Sequence, residues 1–236
     1  MESSIEHFQL SDHQSQILRI SDDLSIMTWN ILKRCVFHEQ PQKFYNNGFR
    51  IIESEYEYHI RLSKIANEIY NILVNNSTIK CIALQEIPLN SDLELFKQSL
   101  SVLLPNFALI TTKTQGFLYD QTCLNIQDRT ADLINAIGRH SHKIQSISAA
   151  NNDWEINFIN VHLCWFKSYN SRLAVIKTII KALNNRIIIL GDFNFNILDL
   201  AIQGIEKYSE PNTTLCYTGD GVQHLQTCDG FIIYDR

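Results

Sequence analysis

Four short apolar runs in this 236-residue chain each end in a polar residue that a buried strand does not need. "IMTWN" ends in Asn30, "IALQE" in Glu86, "FINVH" in His162, and "IIILGDFN" in Asp192 and Asn194. One such ending is ordinary, because strands leave a sheet through polar loops. Four in one domain constrain the fold more tightly. Strand ends that reach one edge of a sheet converge in space, and their polar residues then form a cluster. Between these runs lie stretches with helical spacing. In "RLSKIANEIYNILVNN", residues 61–76, Leu62, Ile65, Ala66, Ile69, Ile72 and Leu73 share a face at intervals of three and four. "SDLELFKQSLSVLL" carries Ser91 and Glu94 at capping-box spacing and stops at Pro105. "SRLAVIKTIIKALNN" repeats the stripe with Leu173, Ile176, Ile179, Ile180 and Leu183. The remaining β-like runs are "LSIMTW", "KCIALQEI", "WEINFINVHL", "RIIILG" and "DGFIIY". Strands alternate with helices in places and come paired in others, which predicts an α/β or α+β fold with a mixed, two-sheet core.

Eight glycines and four prolines leave little room for linkers, and no repeat or low-complexity tract interrupts the chain. One domain spanning 1–236 is expected. The net charge of −5 weakens a general polynucleotide binder, which usually shows a basic face, without excluding a local basic pocket. Cys35, Cys81, Cys123, Cys164, Cys216 and Cys228 form no C-x-x-C pair. They read as free thiols in a reducing compartment rather than a zinc site. "MESSIEHFQL" has neither a basic nor an apolar leader region, and no apolar run reaches the roughly 18 residues of a membrane span. A monomer in the cytoplasm, or one delivered from a microbial cytoplasm by a signal not visible here, is expected.

"GDFN" carries the most chemistry. Gly191 permits a sharp turn after a buried strand. In extended chain Asp192 and Asn194 point the same way while Phe193 and Phe195 point into the core. A carboxylate beside an amide suits activation of a water: one accepts the proton and the other orients. The alternative is an Asx turn that merely closes the strand.

"TWN", "LQE", "HL" and "GDFN", in this order, resemble the endonuclease/exonuclease/phosphatase superfamily, the DNase I-like fold. "TCDGFIIY" is similar to that family's late strand, with Asp229 at the acidic position. "NVHLCWFKSYNSRL" and the helix near Arg61 look closest to the deadenylase and nocturnin branch. The resemblance covers residues 24–236. It implies an α/β, two-sheet mixed β-sandwich flanked by helices, in four layers, that cleaves phosphate esters with Mg²⁺ or Mn²⁺. It implies Glu86 as the main metal ligand, with Asn30 and Asp229 nearby. Asp192 would position or deprotonate the attacking water, Asn194 would orient Asp192 or the phosphate, and His162 would touch a phosphate oxygen. Arg172 is a further candidate for substrate binding. A hard cation that takes one or two protein carboxylates suits this set, and metal and histidine together offset charge in an in-line displacement.

The family pattern also needs a final Ser-Asp-His after the late strand, and the chain ends at Arg236 without one. Ser11-Asp12-His13 stands instead near the start, followed by "QSQILRI". The composition gives a chance triplet roughly a 3% probability. A hairpin centred between Ser21 and Asp22 would place His13 opposite Asn30. This predicts a circularly permuted member of the family, in which Asp12 holds the His13 ring and favours its charged form. The alternatives are a truncated, catalytically inactive binding module and a ligand-regulated partner protein. The substrate class stays open among nucleic acid, nucleotide and phosphorylated head group, with selectivity expected in loops 34–58 and 112–150. The aromatic-rich "FHEQPQKFYNNGF" reads as a packed cover more than a base-stacking surface, and His140 and His142 as a polar rim more than a metal pair.

Overall fold

The computed structural model describes residues 10–11, 13–32, 54–138, 142–151, 153–183, 185–211, 214–217 and 223–235. Two mixed sheets pack face to face with helices on both outer faces. The first sheet runs β1 (Gln16–Arg19), β2 (Ser25–Asn30), β3 (Ile79–Gln85), β5 (Gln115–Asp120) and β4 (Phe107–Thr111). The second runs β10 (Ile205–Tyr208), β13 (Asp229–Tyr234), β9 (Ile187–Asp192), β8 (Glu155–His162), β7 (Lys143–Ala150) and β6 (Asn125–Asp128). β11 (Thr214–Tyr217) and β12 (Gln223–Gln226) form a separate hairpin. The expected two-sheet α/β sandwich is the fold observed.

Each sheet contains one parallel pair, β2 with β3 and β8 with β9. Parallel strands need a crossover, and a helix supplies it in each case. α1 (Glu55–Asn75) joins β2 to β3, and α4 (Tyr169–Ala182) joins β8 to β9. α2 (Asn90–Leu103) packs beside α1, and α3 (Thr130–Ile137) beside α4. The apolar stripes are buried as their spacing predicts. Leu62, Ile65, Ala66 and Ile69 pack with Met27, Trp29 and Ile31 on one outer face, and Ile176, Ile179 and Ile180 pack with Ile159, Val161 and Ile189 on the other. A third cluster, with Ile26, Ala83, Phe117, Phe158, Leu190 and Phe231, fills the space between the sheets. The layers are therefore helix, sheet, sheet, helix.

Several local expectations need correction. α1 starts six residues before the expected Arg61, because Ser54 and Glu57 close a capping box that sets its N-terminus. The box expected at Ser91 and Glu94 does not form: α2 begins at Asn90 with no side-chain cap, and Glu94 pairs with Lys97 instead. Residues 112–150, expected as selectivity loops, hold β5, β6, β7 and α3. Short, partly polar strands such as "NIQD" show too little alternation to stand out. "FHEQPQKFYNNGF" and His140 lie outside the described residues.

The N-terminal hairpin forms, with its register one residue from that expected. Gln16 faces Thr28 and Arg19 faces Ser25. The turn centres on Asp22, because the Ile20 and Ser21 N–H groups both donate to the Leu24 carbonyl and Ser21 Oγ donates to Asp23. Three residues, rather than an even number, are looped out. His13 nevertheless arrives at the same sheet edge as Asn30.

Candidate active site

Both parallel pairs deliver side chains to one end of the sandwich. Asn30 and Gln85 are register partners at the C-terminal ends of β2 and β3, with Glu86 following. His162 and Asp192 are register partners at the ends of β8 and β9, and Asp229 faces Asp192 from the start of β13. The crevice outside the carboxyl ends of strands is where α/β sheets gather ligand-binding groups. Gly191 allows the two sheet strands to close here. Its φ is 136°, and a Cβ would stand 2.1 Å from the Val161 carbonyl oxygen.

Asp192 lies at the centre. Its Oδ1 accepts the Asn194 N–H at 2.8 Å, and its Oδ2 accepts from Asn30 Nδ2 at 3.2 Å. Oδ2 also lies 3.9 Å from His13 Nε2 and 3.7 Å from His162 Nε2. Three nitrogens thus surround one carboxylate oxygen. Asn30 cannot turn its amide the other way, because its Oδ1 accepts the Leu32 N–H at 3.1 Å and a backbone N–H requires an acceptor. Burial raises the Asp192 pKa, the Asp229 charge adds to the rise, and His13 and His162 oppose it.

His13 is fixed from several sides. Its Nδ1 lies 2.8 Å from Asp229 Oδ2. Its backbone N–H donates to Ser11 Oγ, which in turn donates to the Asn30 carbonyl, and Trp29 Nε1 donates to the His13 carbonyl at 2.9 Å. Arg61, buried in α1, ties the same region together by donating to the Leu10, Ile31 and Leu32 carbonyls. The partner expected for the ring was Asp12, which lies outside the described residues; the Nδ1 contact belongs to Asp229. A ring held through Nδ1 presents Nε2 to Asp192 and Asn30.

His162 Nε2 stands 3.7 Å from both Glu86 Oε1 and Asp192 Oδ2, too long for a direct hydrogen bond. Burial lowers its pKa, with the two carboxylates opposing, so the ring tends towards its neutral form. Asn194 does not continue an extended strand. Its φ is 54°, and the Asp192 carboxylate captures its N–H in an Asx turn. Its side chain then reaches back to donate to the Leu163 carbonyl at 2.8 Å. The Asx turn and the placement of the Asp192 carboxylate are therefore one arrangement rather than rivals. Arg172 stays with the loop after β8: it donates to the Trp165 carbonyl at 3.1 Å and its guanidinium lies over the Phe195 ring.

Among the described residues one cluster brings possible cation ligands together. His13, Asp192 and Asp229 bring ligand atoms within 4.8 Å of one another. The 2.8 Å contact between His13 and Asp229 is already a hydrogen bond, and Mg²⁺ prefers oxygen to imidazole nitrogen. The oxygen atoms of Glu86 and Asn30, at the adjoining ends of β3 and β2, are donors of the type such a cation prefers. Glu86 is nearly buried with a φ of 54°, an uncommon conformation for a residue with a side chain and one found at functional sites.

A polar network behind the site was not anticipated. Gln85 Nε2 donates to Thr28 Oγ1 and to Asn160 Oδ1, Gln115 Nε2 donates to the Asn160 carbonyl, and Asn160 Nδ2 donates to the Leu84 and Gly116 carbonyls. These groups lie between the sheets and lock the strands that carry Asn30, Glu86 and His162. The signal was visible: Asn160 shares a strand face with His162 two residues on, inside an otherwise apolar run.

No protein-family model and no curated protein matches the sequence. Solved structures do. TDP2 from D. rerio, complexed with single strand DNA product, superposes at a TM-score of 0.56 with 13% identity, over 91% of this chain and 85% of that one. A functionally unknown conserved protein from Enterococcus faecalis V583 gives 0.51 with 13% identity, over 89% and 86%. ANGEL2, a 2',3'-cyclic phosphatase in complex with adenosine-2',3'-vanadate, gives 0.51 with 14% identity, over 78% and 57%.

Proposed function

We propose that this chain, which has the DNase I-like fold of the endonuclease/exonuclease/phosphatase superfamily, hydrolyses phosphoric esters with the help of a divalent metal ion. The observation that carries the reading is the surrounding of Asp192 Oδ2 by Asn30, His13 and His162 at the carboxyl ends of both parallel strand pairs. Asp192 orients a water and takes its proton as the water oxygen bonds to phosphorus. Asn30 and the Asn194 N–H hold the carboxylate in place. His13, oriented by Asp229, and His162 donate hydrogen bonds to phosphate oxygens, which stabilises the charge that develops there. The ester oxygen then departs with the bonding pair. Glu86 and Asn30 would hold Mg²⁺ or Mn²⁺, which when bound supplies Lewis-acid polarisation of the phosphoryl group. The same reading makes the chain a single domain over 1–236 and a circular permutant, with the Ser11–His13 segment entering before β2 rather than after β13. The contacts of Ser11 and His13 with Asn30 and Asp229 support it.

The test is release of nitrophenolate from bis(4-nitrophenyl) phosphate and 4-nitrophenyl phosphate with Mg²⁺ or Mn²⁺. Turnover is expected, lost after chelation and restored by excess metal. Full turnover after chelation would contradict the metal requirement, and no turnover on either ester would contradict the hydrolase. The pH dependence carries a second expectation. Asp192 must be ionised to accept a proton, and its raised pKa keeps it protonated to higher pH than an ordinary carboxyl. Thus kcat/KM should fall on acidification with a midpoint above the usual ~3.9 for Asp. A rate that holds down to that value would contradict Asp192 as base.

A further inference from the structure

Immediately after His162 the chain leaves the site and exposes two large aromatic rings in succession. Trp165 is 60% exposed and Phe166 is 65% exposed. Their rings meet edge to face at 5.9 Å. Exposed neighbouring aromatics are unfavourable in water unless something covers them in use. The loop that carries them is not loosely held. The Leu163 carbonyl accepts from Asn194, the Cys164 N–H donates to His142 Nδ1, the Lys167 N–H donates to the Cys164 carbonyl, and Arg172 donates to the Trp165 carbonyl. One of these ties, from Asn194 Nδ2 to the Leu163 carbonyl, starts at the turn that also positions Asp192. The aromatic pair is thus displayed in a fixed place relative to the candidate site. Three residues span at most about 11 Å, and the turn at 165–166 shortens that.

We infer that Trp165, buttressed by Phe166, is a stacking platform for the base of a nucleotide whose phosphate lies among His13, Asp192 and His162. The inference rests on the hydrolase reading above and narrows its substrate to nucleotides or single-stranded nucleic acid. Stacking suits a base because every base presents a π-face. Lys167 stands over the Phe166 ring at 5.5 Å. Its ammonium lies at the platform, where it can meet a phosphate on either side of the base. A purely apolar partner would not use that charge. An anionic membrane surface is a poorer fit for a chain of net charge −5.

The experiment compares adenosine 5'-monophosphate with ribose 5-phosphate, which lacks the base, by titration calorimetry and tryptophan emission in the presence of Mg²⁺. Trp29 is buried and Trp154 half-buried, so Trp165 is the exposed reporter. The nucleotide should bind tighter than the sugar phosphate by roughly 5- to 150-fold and quench the emission. Trp165→Ala should remove that preference while leaving ribose 5-phosphate binding unchanged, and Trp165→Phe should keep most of it. Equal binding of the two ligands would overturn the platform and leave the hydrolase reading standing. So would a preference that survives Trp165→Ala. Failure of both ligands to bind, together with no ester hydrolysis, would overturn both.

Discussion

Asp192→Asn should lower kcat by roughly 10²–10⁴, the range a positioned general base contributes, with the fold retained. The substitution removes one charge and keeps the shape. Asn can still accept the Asn194 N–H through its carbonyl oxygen, so the Asx turn over 192–194 is preserved. What disappears is the carboxylate oxygen around which Asn30, His13 and His162 gather. Folding can be checked independently. Burial already disfavours the ionised form of Asp192, which offsets part of the cost of setting the new amide nitrogen against Asn30 Nδ2, so Tm should fall without collapsing. Steady-state kinetics on a phosphodiester, beside a thermal melt, separate the cases. A variant that still melts cooperatively and keeps full turnover would end the proposed role of Asp192.

The second large effect concerns His13. His13→Gln should also cost roughly 10²–10⁴ in rate, although residue 13 stands near the start of the chain. The segment itself should stay in place. Its anchors are backbone groups: the His13 N–H to Ser11 Oγ, the His13 carbonyl to Trp29, and the Leu10 carbonyl to Arg61. Asp229→Asn should produce a similar loss, because Asp229 fixes the ring through Nδ1. Groups that act as one unit are not additive. The double variant should therefore be no slower than the slower single variant. If the losses multiply, Asp229 acts independently of the ring, for instance as a metal ligand. If His13→Gln turns over like the parent, the N-terminal segment takes no part in catalysis.

Much of this arrangement was legible in the sequence because it depends on periodicity and strand ends. The stripes in α1 and α4 follow from three- and four-residue spacing, and Asn30, Glu86, His162 and Asp192 each close a run whose length suits a strand. Their convergence follows from two parallel pairs, each of which must place its carboxyl ends at one edge. Other features depended on partners distant in sequence. Nothing local to His13 announces Asp229, 216 residues away, as the group that holds its ring. Arg61 opens the helical stretch expected at 61–76 outside its apolar stripe, yet it is buried against the carbonyls of the N-terminal segment and the β2 exit. The hairpin register differs by one because the Ser21–Asp23 side-chain bond and the Arg19–Asp22 ion pair select a three-residue turn. The spacing of Asp192 and Asn194 suggests an extended chain, but capture of the Asn194 N–H by the preceding carboxylate competes with strand geometry and wins here.

If the N-terminal segment completes a phosphate site built by the two sheets, a crystal grown with Mg²⁺ and inorganic phosphate will show it. One phosphate is expected within hydrogen-bonding distance of both His13 Nε2 and His162 Nε2, beside Asp192, with the cation on Glu86. A phosphate bound elsewhere, or a His13 ring turned away from Asp229 and from the anion, would contradict it.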